Sequence, residues 1–135
     1  MATYNKFNVF PQDLVTKGHD FSADAFKVML TNTAPVATNA VKADITEIAA
    51  GGGYTAGGFA TTITLGNSAG TETVKASNIS FTASGSVGPF RYAAVYNSTS
   101  GKLIGWYDYA SSLTLTANDQ FAVNFDQTNG LLQIA

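Results

Sequence analysis

The sequence contains no cysteine and little charge. Without cysteine, the chain forms no disulfide, no cysteine-ligated metal site and no thiol nucleophile. Charged residues make up 12% of the 135 residues, about half the share of an average soluble domain. The formal net charge is −2, which argues against a protein that binds nucleic acid by electrostatic attraction.

Long apolar runs are also missing. No stretch approaches the roughly 18 apolar residues of a membrane span, and residues 1–6 lack the basic and then apolar layout of a secretory signal. We therefore expect no contact with a membrane. The length predicts one domain over residues 1–135, because about 150 residues per domain is usual. The 9 Phe, 6 Tyr and 1 Trp residues argue against disorder.

Apolar and polar residues alternate from Phe59 onward, as expected for half-buried strands. Turn residues recur along the same region, with a turn predicted at 85–89. Together they predict a mainly β fold, an antiparallel β-sandwich or jelly-roll-like domain. The predicted strands cover residues 26–31, 59–65, 72–76, 79–82, 90–96, 103–109, 113–116, 121–125 and 131–134.

One or two short helices are predicted in the N-terminal third. The spacing of Phe7, Phe10 and Leu14 suits one helical face, whereas the alternation around Phe7 suits a strand that ends at Pro11. We favour an extended segment followed by a single helical turn, with residues 1–20 forming an N-terminal arm.

A second short helix is predicted over residues 40–48, followed by the glycine-rich segment 51–58. This segment resembles a phosphate-binding loop, but such a loop follows a strand and precedes a helix. Here the order is reversed, and the Gly-Lys-Ser/Thr ending is absent. The segment is therefore predicted to end the helix and form a flexible surface loop that can order against a partner.

His19 is the only histidine, and Asp13, Asp20 and Asp24 lie near it in sequence. A nucleophilic triad needs a serine held beside the histidine, and no serine lies in a G-x-S-x-G turn. A metal site normally needs further ligands. We predict a solvated loop histidine, and no catalytic residue, cofactor or metal. A small hydrolase centred on His19 stays as a minor hypothesis, and we expect the protein not to be an enzyme.

The run Trp106-Tyr107-Asp108-Tyr109 supports two interpretations. It can form a sugar-stacking platform in which Asp108 binds hydroxyl groups, or alternation can divide it between two faces of a sheet. We favour the second.

Arg91 is the only arginine. It is predicted to face away from the core together with Ala93 and Val95, as a surface charge or as an interface anchor.

Several segments resemble a family of small tailed-bacteriophage virion proteins. The likeness extends from Tyr4 to Ala135 and lies in residues 26–35, 41–48, 53–58, 88–92, 104–109, 121–126 and 129–130. It implies a capsid cement or head-decoration protein. Such proteins are jelly-roll-like and oligomeric, and they bind the outside of an icosahedral shell where capsomers meet.

The resemblance predicts a virion structural protein that stabilises the phage head. Its expected partners are the major capsid protein and further copies of the chain, as a dimer or trimer, with no nucleic acid, membrane or small-molecule substrate. It would be made in the host bacterial cytoplasm and reside on the capsid surface. The candidate interface residues are Phe7, Phe10, Gly53, Tyr54, Arg91, Trp106, Tyr107 and Tyr109. The alternative is a tail-associated or receptor-binding module whose aromatic hairpin binds glycans.

Overall fold

Residues 2–135 are described by a computed structural model. Strands occupy 48% of the chain and helical residues 7%, so the predicted mainly β, antiparallel fold is confirmed. The helical elements are helix α1 (Phe10–Val15) and a 3-10 turn (Lys42–Asp44). The strands are β1 (Thr3–Lys6), β2 (Phe26–Thr31), β3 (Phe59–Thr61), β4 (Ile63–Ser68), β5 (Thr71–Ala76), β6 (Ile79–Thr82), β7 (Val87–Asn97), β8 (Leu103–Leu115), β9 (Gln120–Val123) and β10 (Leu132–Ile134).

The first layer is a five-stranded antiparallel sheet in the order β1-β8-β7-β2-β3. Alternation on β2 sends Phe26, Val28 and Leu30 to one face and Met29 to the other, because successive side chains point in opposite directions. All four are buried. The sheet is therefore covered on both faces, which explains the unbroken apolar run Ala93–Tyr96 on β7.

The second layer contains the sheets β4–β5–β10 and β6–β9. The chain passes from β5 into β6 through Ser77 and Asn78. The side-chain oxygen Oδ1 of Asn78 accepts a hydrogen bond of 2.8 Å from the backbone N–H of Phe125. This side chain ties the connection between β5 and β6 to the chain that follows β9.

The main core lies between the two layers. It combines Val28 and Phe90 of the first layer with Ile79, Phe121 and Val123 of the second. Two packed layers of this kind are those of a β-sandwich, while the strand order does not establish a jelly roll. A second cluster covers the outer face of the five-stranded sheet and consists of Phe7, Met29, Ile45, Ala94, Tyr96 and Leu103.

The N-terminal segment is extended and then helical, but residues 1–20 do not form a separate arm. Strand β1 pairs with β8 along its whole length. Phe7 is 0% exposed and Phe10 is 4% exposed, and burying each such side chain contributes about 1.5–3 kcal/mol. The arm prediction is wrong because both phenylalanines complete the hydrophobic clusters of the domain.

The predicted helix over residues 40–48 is also wrong. Only the 3-10 turn forms, because the Asp44 carboxylate accepts the N–H groups of Ala40 and Val41 at 2.9 and 3.1 Å. Beyond the turn the chain is extended, and the Ile48 N–H donates to the Leu30 carbonyl at 3.0 Å.

Several predicted strand boundaries differ from the structure, and three of the differences change the course of the chain. The strand 59–65 is interrupted at Thr62, where the chain leaves the first layer for the second. Segments 103–109 and 113–116 belong to one strand, β8, and most of the predicted turn 85–89 belongs to β7. Ala110 on β8 has a φ of 70°, and the pairing with β7 passes from Asp108 to Leu113 through a register shift, so the sequence pattern is interrupted within one strand.

Candidate functional site

A groove runs along one edge of the sandwich, between β1 and β8 of the first layer and the chain that follows β9. Its larger cavity, of about 420 Å³, is lined by Tyr4, Tyr107, Asn124, Phe125, Asp126, Gly130 and Leu131. An adjoining cavity of about 220 Å³ is lined by Ala2, Tyr107, Tyr109, Ala122 and Asn124. We call this surface the tyrosine groove.

Strand pairing places the tyrosines side by side. Tyr4 lies directly opposite Tyr107 in the β1–β8 register, and their ring centroids are 4.9 Å apart. Tyr109 follows on the same face of β8 because strand side chains repeat every second residue. Gly105 makes room for Tyr4, since a Cβ atom at this position would overlap the Tyr4 hydroxyl.

The hydroxyls of Tyr4, Tyr107 and Tyr109 make no hydrogen bond to any residue within 2–135. Burial raises the pKa of Tyr107 and of Tyr109 to about 12, and it raises the pKa of Tyr4 as well. All three phenols therefore stay neutral near pH 7 and can both donate and accept hydrogen bonds.

The polar end of the groove is lined by no Lys, Arg or His side chain. Asp126 accepts the backbone N–H groups of Asn129 and Thr128, both at 2.8 Å. These hydrogen bonds, with that from Asn129 first, hold the pKa of the Asp126 carboxyl below its usual range. The groove therefore offers aromatic rings, neutral hydroxyls, the Asn124 amide and one carboxylate.

The aromatic run of β8 divides between the two faces of the sheet. Tyr107 and Tyr109 line the groove, whereas Trp106 packs on Phe7 on the outer face, with ring centroids 4.6 Å apart. Asp108 also lies on the outer face. The run does not form one sugar platform, and Asp108 is not part of the groove.

Arg91 binds Asp108. Its Nε lies 2.8 Å from Asp108 Oδ1, and this hydrogen bond lowers the pKa of the Asp108 carboxyl. The prediction that Ala93 and Val95 face outward with Arg91 is wrong, because both are buried in the main core. The cause is a register shift between Phe90 and Tyr92, which changes the face on which the following residues lie.

The glycine-rich segment is held by a tight turn and by the buried side chain of Tyr54. Gly51 and Tyr54 form a tight turn with two backbone hydrogen bonds of 3.0 Å. Tyr54 is 2% exposed; its hydroxyl donates to Glu47 at 2.7 Å and accepts the Leu30 N–H at 3.0 Å. The residues of this segment that remain exposed are Gly51, Gly53, Thr55 and Ala56.

The structure brings together only part of the predicted interface. Tyr107 and Tyr109 share one groove, while Phe7, Phe10 and Tyr54 are buried. No local pattern in the sequence pointed to Tyr4 and Asn124, whose place in the groove depends on the pairing of β1 and on the course of the chain after β9.

His19 is buried, so the prediction of a solvated loop histidine is wrong. It is 6% exposed, and its ring packs 5.3 Å from Phe10 and 5.8 Å from Phe21. No serine of residues 2–135 hydrogen-bonds to it, although a His-activated serine requires such a contact.

A buried asparagine sets the tautomer of His19. Asn97 Oδ1 accepts the N–H groups of Thr99 and Ser100 at 2.9 and 3.0 Å, so its amide nitrogen faces His19 Nδ1 at 3.2 Å. Nδ1 therefore accepts, and Nε2 carries the proton of the neutral ring. Within residues 2–135, His19 Nε2 and Asp13 Oδ2 are buried without a hydrogen-bond partner.

This environment predicts lower stability in acid. Burial lowers the pKa of His19, against the smaller opposing effects of Asp13 and Asp24. The unfolded state thus binds the proton more readily, and stability is lost as the pH falls below about 6.5. We expect the melting temperature of the wild type to drop by a few degrees more than that of His19→Gln between pH 7 and pH 5. Scanning calorimetry at the two pH values measures this, and equal drops would contradict it.

Two further features bear on the class of site. Within residues 2–135, no group of three or more His, Asp or Glu side chains is placed to hold a metal ion. In the same part of the chain, every helix is too short to cross a membrane.

Comparison with known proteins identifies no relative: no protein family, no curated protein and no solved structure matches the chain. A function for this chain is therefore inferred from its own sequence and structure.

Proposed function

We propose that the protein is a structural component of a tailed-phage virion that binds the outside of the icosahedral head and stabilises it. The resemblance of its segments to capsid cement proteins supports this function. The structural observation that carries it is an exposed strand edge that a partner can extend.

Strand β4 is the last strand of its sheet, so one row of its backbone N–H and C=O groups has no partner strand within residues 2–135. None of its six residues, Ile63–Ser68, is charged or a proline, and its pairing with β5 shows no bulge. Proteins usually protect such edges with lysine, proline or a bulge. We call this surface the β4 edge and infer that it is covered in the assembled particle.

A capsid segment can bind the β4 edge as an added strand, in which main-chain hydrogen bonds supply affinity. Binding only the assembled shell stabilises that shell by mass action, by about 2.7 kcal/mol per site when the protein is at 100 times its Kd. The proposed partners are the major capsid protein at this edge and further copies of the chain in a dimer or trimer. The protein would be made in the host cytoplasm, reside on the capsid surface and catalyse no reaction.

A charge on the β4 edge should weaken this docking. Leu65 is 45% exposed, so the charged end of a lysine at this position can extend into solvent while its aliphatic stem covers the same surface. We expect it to lower the affinity for expanded heads assembled without this chain by at least about tenfold, because a lysine discourages strand addition. Co-sedimentation of the purified variant with such heads measures the occupancy.

The matched control is Val15→Lys, which adds the same charge at a side chain that is 81% exposed and lies on α1, outside any strand. It should bind heads like the wild type. Full occupancy by Leu65→Lys would exclude the β4 edge. A wild type that binds no heads, and that a cryo-EM map of the native particle places on the tail, would instead support the tail-associated, receptor-binding alternative.

A further inference from the structure

We propose that the tyrosine groove is a binding site for a neutral oligosaccharide. This activity goes beyond head decoration and does not depend on it. The groove lies at the edge of the sandwich formed by β1 and β8, whereas the β4 edge belongs to the other layer.

The shape of the groove suits sugar rings. Its larger cavity, of about 420 Å³, lies within the range of roughly 300–1,000 Å³ of small-molecule sites, and the adjoining cavity prolongs it towards Tyr109. The paired rings of Tyr4 and Tyr107 provide an apolar surface. The C–H face of a pyranose can pack on such rings, which combine an apolar body with a polar tip.

The hydrogen-bonding groups also match. The hydroxyls of Tyr4, Tyr107 and Tyr109 make no hydrogen bond to residues 2–135, and none of them is among the side-chain atoms that are buried without a partner. They therefore reach solvent in the groove, where a ligand can bind them. The Asn124 side chain, at the junction of the two cavities, makes no hydrogen bond within that range either. Sugar hydroxyls both donate and accept, so a saccharide can satisfy all four side chains.

The charge of the groove selects against anions. None of the residues that line either cavity is Lys, Arg or His, and Asp126 is the single charged one. Lys75 lies outside the lining and is the weakest of the groups that act on Asp126. A phosphate, a sulfated glycan or a sialylated glycan would therefore lie beside a carboxylate with little compensation. Neutral saccharides avoid this repulsion and can donate hydroxyl protons to Asp126.

The test measures the binding of glycans to the purified full chain in the absence of phage heads. Its result is therefore independent of head decoration. A printed array of neutral and of sialylated or sulfated glycans is followed by NMR titration with maltoheptaose, cellohexaose, chitohexaose and the strongest array ligand. We expect at least one neutral glycan to bind, with shifts confined to the signals of Tyr4, Tyr107, Tyr109 and Asn124.

Variants then identify the contacts. Tyr107→Phe combined with Tyr109→Phe keeps both rings and removes two hydroxyls, and it should weaken binding about tenfold. The matched control, Tyr92→Phe, removes a hydroxyl from the opposite face of the sheet and should leave affinity unchanged. Asn124→Ala, at an exposed position, should weaken binding about threefold.

Three results would overturn the proposal. They are an array without any neutral ligand, preferential binding of the anionic glycans, and tyrosine signals that shift with protein concentration alone because a second copy fills the groove. None of them would affect the binding of heads through the β4 edge.

Discussion

Replacing Gly58 with alanine is expected to destabilise the domain by about 3 kcal/mol or more. Gly58 has a φ of +87°, where a side chain costs about 1–2 kcal/mol. A Cβ atom there would also overlap the backbone carbonyl of Val28, and relieving an overlap in a packed interior typically costs about 1–3 kcal/mol. The loss is a large part of a typical total stability of about 5–15 kcal/mol. Urea unfolding followed by tryptophan fluorescence measures it.

Two other glycines separate the backbone strain from the overlap. Gly101 has a φ of +76°, and a Cβ atom added to it would meet no neighbouring atom within 4 Å, so Gly101→Ala should cost only the backbone strain of about 1–2 kcal/mol. Gly66 has neither a positive φ nor a close neighbour, and Gly66→Ala should stay within about 0.5 kcal/mol of the wild type. Equal losses at Gly58 and Gly101 would show that close packing of the loop on β2 contributes nothing.

Replacing Asn97 with alanine is expected to cost about 2–4 kcal/mol. Asn97 is 0% exposed. Besides the turn amides of Thr99 and Ser100, its side chain binds Asp24 Oδ2 at 2.7 Å and His19 Nδ1 at 3.2 Å. Alanine would leave several of these groups without a partner, and each buried unsatisfied group costs about 1–3 kcal/mol. Thermal unfolding at pH 7 measures the loss.

The matched control for this variant is Asn67→Ala. Asn67 is exposed, and its side chain makes one hydrogen bond, of 3.2 Å, to Glu72. The expected change is within about 0.5 kcal/mol. A loss at Asn97 as small as that at Asn67 would mean that water replaces its partners at no cost.

Local patterns in the sequence were sufficient to predict those strands whose bounds and faces follow from their own residues. The alternation of residues 26–31 and 79–82 predicted β2 and β6 with their observed bounds. The same alternation on β8 anticipated that Tyr107 and Tyr109 lie on one face and Trp106 on the other. These features follow from the period of a strand, which each segment carries by itself.

Features that depend on distant segments were not predictable. Residues 18–24 have the composition of an exposed turn, yet His19 is buried by the side chains of α1 and β2 and bound by Asn97, far along the chain. Likewise, Tyr4 enters the groove through its register with Tyr107. A register shift between Phe90 and Tyr92 places Ala93 and Val95 on the core face although Arg91 is outside it. The sequence of one strand does not indicate such a shift.

The pairing of β1 with β8 has a consequence for synthesis on the ribosome. Lys6 pairs with Gly105, so β1 is translated almost a hundred residues before its partner strand. At the usual rate of about 5–20 residues per second, β1 remains unpaired for roughly 5–20 s before its partner strand is synthesised. Folds with such distant pairings also tend to fold slowly, in milliseconds to seconds. The nascent chain therefore exposes Tyr4 and Phe7 throughout most of translation, which makes this strand the segment where a chaperone has the longest time to bind.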